Sequence, residues 1–209
     1  MSKNLKRVEK ILPDLIDANR MLKILELMEK EVLPELLSSR DPEMWESLYI
    51  DYEKPFVERL WYQFGPIRIN LHKIHPCKES EALFHPHPWP SAMHVLSGTY
   101  ETAVGSSIWS EEPRIALRGI VNGGFKYEML YANAWHYVRP IGGPAYTLMI
   151  TGKPWKNAKS WAKIFGERDR RQSLPAMRQL TLEEKANNLL FFWNYYIGNP
   201  CRVAHGIIS

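Results

Sequence analysis

Chemistry in this sequence concentrates where two histidines stand one residue apart, His85 and His87. In an extended backbone, side chains two apart project from the same face. Two imidazoles placed that way can share one metal ion. Pro86, Pro88 and Pro90 alternate through the same stretch. Each fixes φ and keeps the segment extended, so little entropy remains to be lost when the imidazoles bind. If extension persists to Val95, then His85, His87, Trp89, Ser91, Met93 and Val95 share one face. His94 then lies on the other face, and parity excludes it as a ligand.

The elements that must hold these residues follow from periodicity. Leu5 to Leu37 carries apolar residues at helical spacing, with Pro13 and Pro34 expected to start, kink or end pieces of it. Asp41 followed by Pro42 is a helix start signal. It predicts a second, shorter helix carrying Met44, Trp45, Leu48 and Tyr49. These helices are expected to cover an open face of a sheet, and a dimerisation arm or a lid is the alternative. From Val57 the period becomes two. Leu60, Tyr62 and Phe64, then Ile67, Ile69 and Leu71, flank the turn pair Gly65-Pro66 as a hairpin. His72 and His75 are weighed as further ligands and read instead as residues of an exposed strand end. The strand through Met93, Val95 and Leu96 closes at Ser97-Gly98, with Thr99 to Val104 as the second arm of a hairpin. Arg114 to Arg118, Phe125 to Tyr131, Ala134 to Val138 and the run from Ala145 add further short strands between Gly and Pro turns. Such spacing argues a β-barrel or sandwich. Lys156 to Arg178 is a basic linker that reads as a solvated face. Thr181 and Glu184 form a capping box for a last helix through Leu189 and Phe192, stopped by Asn199-Pro200.

Composition narrows the classes. The chain has 209 residues, 45% hydrophobic and 24% charged, which suits a globular protein with one sizeable core. Eight Trp and ten Tyr suit a concave small-molecule site. A net charge of +4 is too mild to argue for nucleic acid. Cys77 and Cys201 alone make no disulfide framework and fit a reduced compartment. The charged N-terminus lacks the apolar core of a signal peptide, and Leu189 to Ile197 is too short to span a bilayer. The expectation is a cytoplasmic protein without a membrane partner.

The stretch from His85 to Gly98 resembles the first motif of the cupins. That motif reads His-x-His, three or four residues, a Glu, six residues and a Gly. His85, His87 and Gly98 match, while the Glu position falls on Ser91. Tyr131 to His136 sits where the second motif, Pro-x-Gly-x-x-His, is expected; His136 matches, and Tyr131 and Asn133 replace the proline and glycine. The resemblance covers roughly Arg59 to Trp155. It implies a mainly β protein: a cupin double-stranded β-helix barrel over 57–155, an N-terminal helical segment over 1–56 packed on it, and a linker and C-terminal helix over 156–209. The three parts are expected to form one structural domain. Cupin barrels often pair, so a homodimer is expected.

The resemblance implies His85, His87 and His136 as metal ligands, with Ser91 in the vacant carboxylate position. Glu101 is weighed as a substitute carboxylate and read as a solvent-facing strand residue. Three imidazoles leave a divalent ion its full charge, which favours an anionic or chelating substrate. Imidazole suits Fe(II), Zn, Ni and Mn alike, but a three-His cupin site resembles that of the cysteine dioxygenases and related thiol or diketone dioxygenases. On that reading Fe(II) is the expected cofactor, and Arg114, Arg118, Tyr100 and Tyr127 are candidates for contacting substrate. Two other readings stay open: another metal-dependent cupin enzyme (lyase, isomerase or hydrolase), or a non-catalytic small-ligand-binding cupin.

Overall fold

The computed structural model describes residues 2–50, 55–82, 84–87, 89–106, 114–130, 134–155 and 178–198. Among the described residues the strands are β1 (Glu46–Ile50), β2 (Val57–Phe64), β3 (Ile67–Ile74), β4 (His85–Pro86), β5 (Ser91–Ser97), β6 (Thr99–Ser106), β7 (Arg114–Asn122), β8 (Lys126–Met129), β9 (Ala134–Pro140) and β10 (Ala145–Thr151). Six form one sheet in the order β1-β2-β3-β10-β5-β8, and four form a second in the order β4-β9-β6-β7. Four antiparallel pairs, β3 with β10, β4 with β9, β5 with β8 and β6 with β7, are the rungs of one long hairpin. Rolled up so that successive rungs alternate between two sheets, that hairpin is a jelly roll, the double-stranded β-helix of the cupin fold. The chain is therefore mainly β, with β1 and β2 widening one sheet beyond the roll.

The roll corrects one expected hairpin. β5 and β6 are joined at Gly98 but do not pair; β5 pairs with β10 and β8, and β6 with β7 and β9. The chain crosses from one sheet to the other there. Gly98 takes φ +88, and a Cβ on it would meet the backbone of Pro144 and Ala145 at 2.9 Å. A tight Ser-Gly pair reads locally as a hairpin turn, and only long-range pairing distinguishes it from a corner.

Strand parity divides the buried side chains into two layers. Ile67, Ile69 and Leu71, with Ala92, Leu96, Leu148 and Ile150, face outward under the helices. Those helices are α1 (Lys3–Asp17), α2 (Met21–Leu27), a π-helical turn (Met28–Val32), α3 (Leu33–Ser38), α4 (Leu182–Trp193) and a second π-helical turn (Asn194–Gly198). Leu12, Ile24, Leu25, Leu33 and Phe192 are their buried contacts. The other face of the same strands meets the second sheet. A smaller cluster of Ile74, Val95, Tyr100, Val121, Val138 and Ala145 plugs one end of the barrel. A Leu148→Ala cavity under the helices would cost about 2–5 kcal/mol.

The N-terminal helices differ from expectation in detail. Pro13 lies inside α1 without ending it; the break comes at Ala18 to Arg20, where Asn19 takes φ 55. Pro34 sits in the first turn of α3 after the π-helical turn, consistent with its missing backbone N–H. The second helix expected at Asp41 is a single 3-10 turn, Pro42–Met44, capped by Asp41 Oδ1 accepting from Glu43 N at 2.9 Å. Leu48 and Tyr49 then belong to β1, because the free edge of β2 offers a complete ladder from Glu46↔Trp61 to Ile50↔Val57. The capping box forms as read, with Thr181 Oγ1 accepting from Glu184 N and Glu184 accepting from Thr181 N. Most of the basic linker, 156–177, and the Asn199-Pro200 stop lie outside the described residues, as does Cys201.

Candidate metal centre

The rolled hairpin brings the two histidine segments together. β4 pairs with β9 so that His85 stands directly opposite His136, and residues directly opposite share a face. His87 lies two residues on from His85, its ring nearly parallel to that of His85 at 5.4 Å between centroids. The ligand atoms of His85, His87 and His136 all lie within 4.8 Å of one another, and the cluster contains no carboxylate. His87 and His136 are buried.

The donor set fits a divalent ion. His87 Nε2 and His136 Nε2 are 2.8 Å apart; two nitrogens bound at 2.0–2.1 Å to one ion at right angles sit about 3 Å apart. Burial holds the imidazole pKa of His87 well below the usual value, reinforced by His136, His85, Arg59 and His72, and burial and His85 do the same for His136. Both rings are therefore neutral near pH 7 and carry lone pairs. Ser91, fully buried, places its Oγ 3.4 Å from His87 Nδ1. With the Nε2 lone pair of His87 turned to an ion, its proton sits on Nδ1, and Ser91 is the acceptor on that side. Hydrogen bonds of this kind orient metal-ligating imidazoles.

His94 faces outward, away from the cluster. Its Nδ1 meets Glu29 of the first π-helical turn. Lys126 Nζ and Tyr196 Oη donate to the same carboxylate at 2.6 and 2.9 Å.

Several expected contacts are placed elsewhere. Glu101 lies on the outer face of the four-stranded sheet, accepting from Tyr137 Oη at 2.5 Å and Arg139 Nη2 at 3.1 Å. It is neither a metal ligand nor a simple solvent-facing residue, since side-chain partners take both its oxygens. Arg118 is on that outer face too, exposed and bonded to Glu79. Arg114 opens β7 opposite Ser106, and its side chain lies outside the described part, as do Tyr131 and Asn133. Tyr100 and Tyr127 do enter the barrel, but their hydroxyls bond each other at 2.8 Å and Tyr127 donates to Met93 Sδ at 3.1 Å. Burial pushes the Tyr127 phenol up to about 12 and raises that of Tyr100 well above its usual value, so both remain protonated.

The inner wall also holds Arg59 and Thr147, which the sequence did not single out, and His72, which it placed at an exposed strand end. Arg59, His72, Thr147 and Val95 form one cross-strand row over β2, β3, β10 and β5. Arg59 Nε donates to His72 Nε2 at 2.9 Å, and His72 Nδ1 lies 3.2 Å from Thr147 Oγ1. This chain requires His72 neutral with its proton on Nδ1. Burial, with Arg59 second, holds its pKa well below the usual value. His72 is thus a buried barrel residue, not the exposed strand end expected. His75 does stand near that end, bonded to Glu58 at 2.7 Å. The same parity puts Arg68 on the inner face at the open end, its guanidinium 5.7 Å from the Trp61 ring centroid. Alternation along Arg59, Trp61 and Gln63 was present in the sequence, but which of the two faces looks inward depends on where the helices pack.

No protein-family model and no curated protein matches the sequence. Solved structures similar to it include the hydroxypropylphosphonic acid epoxidase from S. wedmorenis, at 14% identity and TM-score 0.42, covering 53% of this chain and 56% of that one. The same epoxidase with Fe(II) and the alternative substrate (S)-1-HPP aligns at 13% identity and TM-score 0.43, over 53% and 57% of the two chains. BH2720 from Bacillus halodurans aligns at 19% identity and TM-score 0.39, over 49% and 74%. The chain thus spans little more than half the length of the epoxidase. Likenesses this distant leave the chemistry to be argued from the residues, and the strand order carries the fold. Among the described residues, no helix is long and apolar enough to cross a membrane.

Proposed function

We propose that this protein is a metal-dependent cupin enzyme, a non-haem Fe(II) dioxygenase of a small anionic or chelating molecule. The observation that carries the reading is the three-histidine cluster without a carboxylate, with Arg59 close enough to help hold His87 neutral. A divalent ion held by three neutral ligands keeps its full charge, and a nearby guanidinium adds to it. Such an interior attracts an anion and is selective against a cation. His85, His87 and His136 hold the metal, and Ser91 orients His87. Arg59, aimed by its Nε bond to His72, meets the anionic group of the substrate; its planar fork suits a carboxylate. Bound iron would supply electrons to dioxygen and a charge for the substrate to chelate. The buried six-stranded wall limits the access of bulk water from that side to the reacting groups.

The test is elemental analysis of protein purified without added metal, followed by oxygen-uptake screening of the Fe(II)-loaded protein against small carboxylates, thiols and diketones. The reading expects oxygen consumption with Fe(II) and none with Zn(II), which has no redox chemistry. Turnover without oxygen uptake would assign another metal-dependent class. Metal binding without turnover of any kind would make it a binding protein.

A further inference from the structure

The two walls of the barrel differ in kind at the metal centre. The six-stranded wall is mixed and closed, with Asn70, His72, Ser91, Thr147 and Thr151 buried on it beside Met93, Val95 and Met149. The four-stranded wall is apolar and open. His85, His136, Val104 and Leu117 form one cross-strand row over β4, β9, β6 and β7. Residues opposite one another in such a row share a face. That face is the inner one, because Tyr100, four residues before Val104 on β6, reaches Tyr127 on the other sheet. Yet Val104 is 40% exposed and Leu117 is 69% exposed. Next along β7 on the same face comes Gly119, where an added Cβ would meet nothing within 4 Å. The apolar row therefore does not close over a core. It runs from the histidines to the sheet edge as an open shelf, and with strands about 4.8 Å apart it reaches about 10 Å beyond His136.

An apolar surface continuous with a charged centre matches one kind of molecule. We infer that the substrate is an amphipathic anion whose charged head meets the metal and Arg59, and whose apolar substituent lies along Val104 and Leu117 over Gly119. This rests on the proposed anionic substrate and names its second half. At about 1.3 Å per extended carbon, a substituent of about eight carbons spans the shelf in full and the five-carbon tail of hexanoate covers more than half of it. Leu117 is a specificity residue on this account: it touches the part of the substrate that does not react.

Calorimetric titration tests the inference with acetate, hexanoate and hexylamine as probes, on metal-free and on Zn(II)-loaded protein. Hexanoate should bind at least about tenfold tighter than acetate, the effect of burying two or three methylenes at about 0.8 kcal/mol each. Hexylamine should bind more weakly than hexanoate. Leu117→Ser, a change at an exposed edge position that leaves the core intact, should remove most of the advantage of hexanoate and leave acetate unchanged. Gly119→Val should do the same by filling the shelf. Equal affinity for hexanoate and acetate overturns the inference. So does a Leu117→Ser variant that changes oligomeric mass by light scattering while hexanoate affinity stays constant, because the shelf would then cover a second copy of the chain. The metal-free arm separates the two proposals. Failure to take up metal with hexanoate preference intact sinks the oxygenase reading alone, and metal uptake without that preference sinks the shelf alone.

Discussion

Replacing Glu29 by Ala should destabilise the protein by about 3 kcal/mol without removing metal. Glu29 sits on the first π-helical turn, its side chain 11% exposed, and receives His94, Lys126 and Tyr196. Burial alone would raise its pKa, but the hydrogen bonds and charges of His94 and Lys126 outweigh it and hold the carboxyl below its usual value. The carboxylate is therefore the common acceptor of three donors on three elements: β5, β8 and the second π-helical turn. Removing one partner of a buried, hydrogen-bonded charge cluster costs about 3–5 kcal/mol. The Lys126 side chain is 36% exposed, so its share is screened and the lower end of the range applies. For a chain of this length a loss of about 3 kcal/mol lowers Tm by about 6–12 °C. Guanidinium unfolding followed by tryptophan fluorescence measures it directly. Glu26→Ala is the control, because Glu26 pairs with Lys23 at 3.1 Å on an exposed helix face, where such pairs contribute about 0.5 kcal/mol or less. A loss below about 1 kcal/mol for Glu29→Ala, or equal losses for both variants, would refute the idea that this cluster ties the helices to the sheet.

Glu58 accepts from Lys73, His75 and Asn188 at 2.8, 2.7 and 2.6 Å. Against the upward push of burial, these bonds hold its carboxyl at about 2. A depressed folded-state pKa adds stability above the unfolded value, lost as pH falls from about 4.5 to about 2. Glu58→Gln should therefore be less stable at pH 7 by about 1–2 kcal/mol after solvent screening, and the gap to wild type should close in acid melts. Ser91→Ala should weaken metal affinity about tenfold or more in competition titrations with a chelator, with little change in metal-free stability. Gly98→Ala should cost about 2 kcal/mol or more in denaturant melts, since its φ and the 2.9 Å approach to Ala145 and Pro144 both oppose a side chain.

What could be read in advance was what local periodicity encodes. The alternation from Ser91 to Val95, the hairpin at Gly65-Pro66 and the capping box at Thr181 are short-range patterns, and each has the expected form, whereas the single extended run expected from His85 to Val95 is two strands, β4 and β5, in different sheets. With the matching histidine at His136, they sufficed for a mainly β cupin roll. The misreadings share a cause: each depended on what lies across the sheet. Leu48 and Tyr49 suit a helix face as well as a strand, and the open edge of β2 decided between them. Ser97-Gly98 suits a hairpin or a corner equally. Arg118 and Glu101 were placed by charge alone, yet the parity of β6 and β7 sends both outward. Arg59 was overlooked and His72 was read as an exposed strand end because their proximity to the histidines comes from tertiary packing; only their cross-strand adjacency is local to a hairpin.

The central claim is that His85, His87 and His136 hold one metal ion inside the barrel. Its most direct test is metal content per chain, by elemental analysis after reconstitution and desalting, for wild type, His87→Ala and His94→Ala, with a thermal melt of each to show that it is folded. One ion per chain in wild type and in His94→Ala, and little in a folded His87→Ala, is the predicted result. A folded His87→Ala that keeps its full metal content would contradict it.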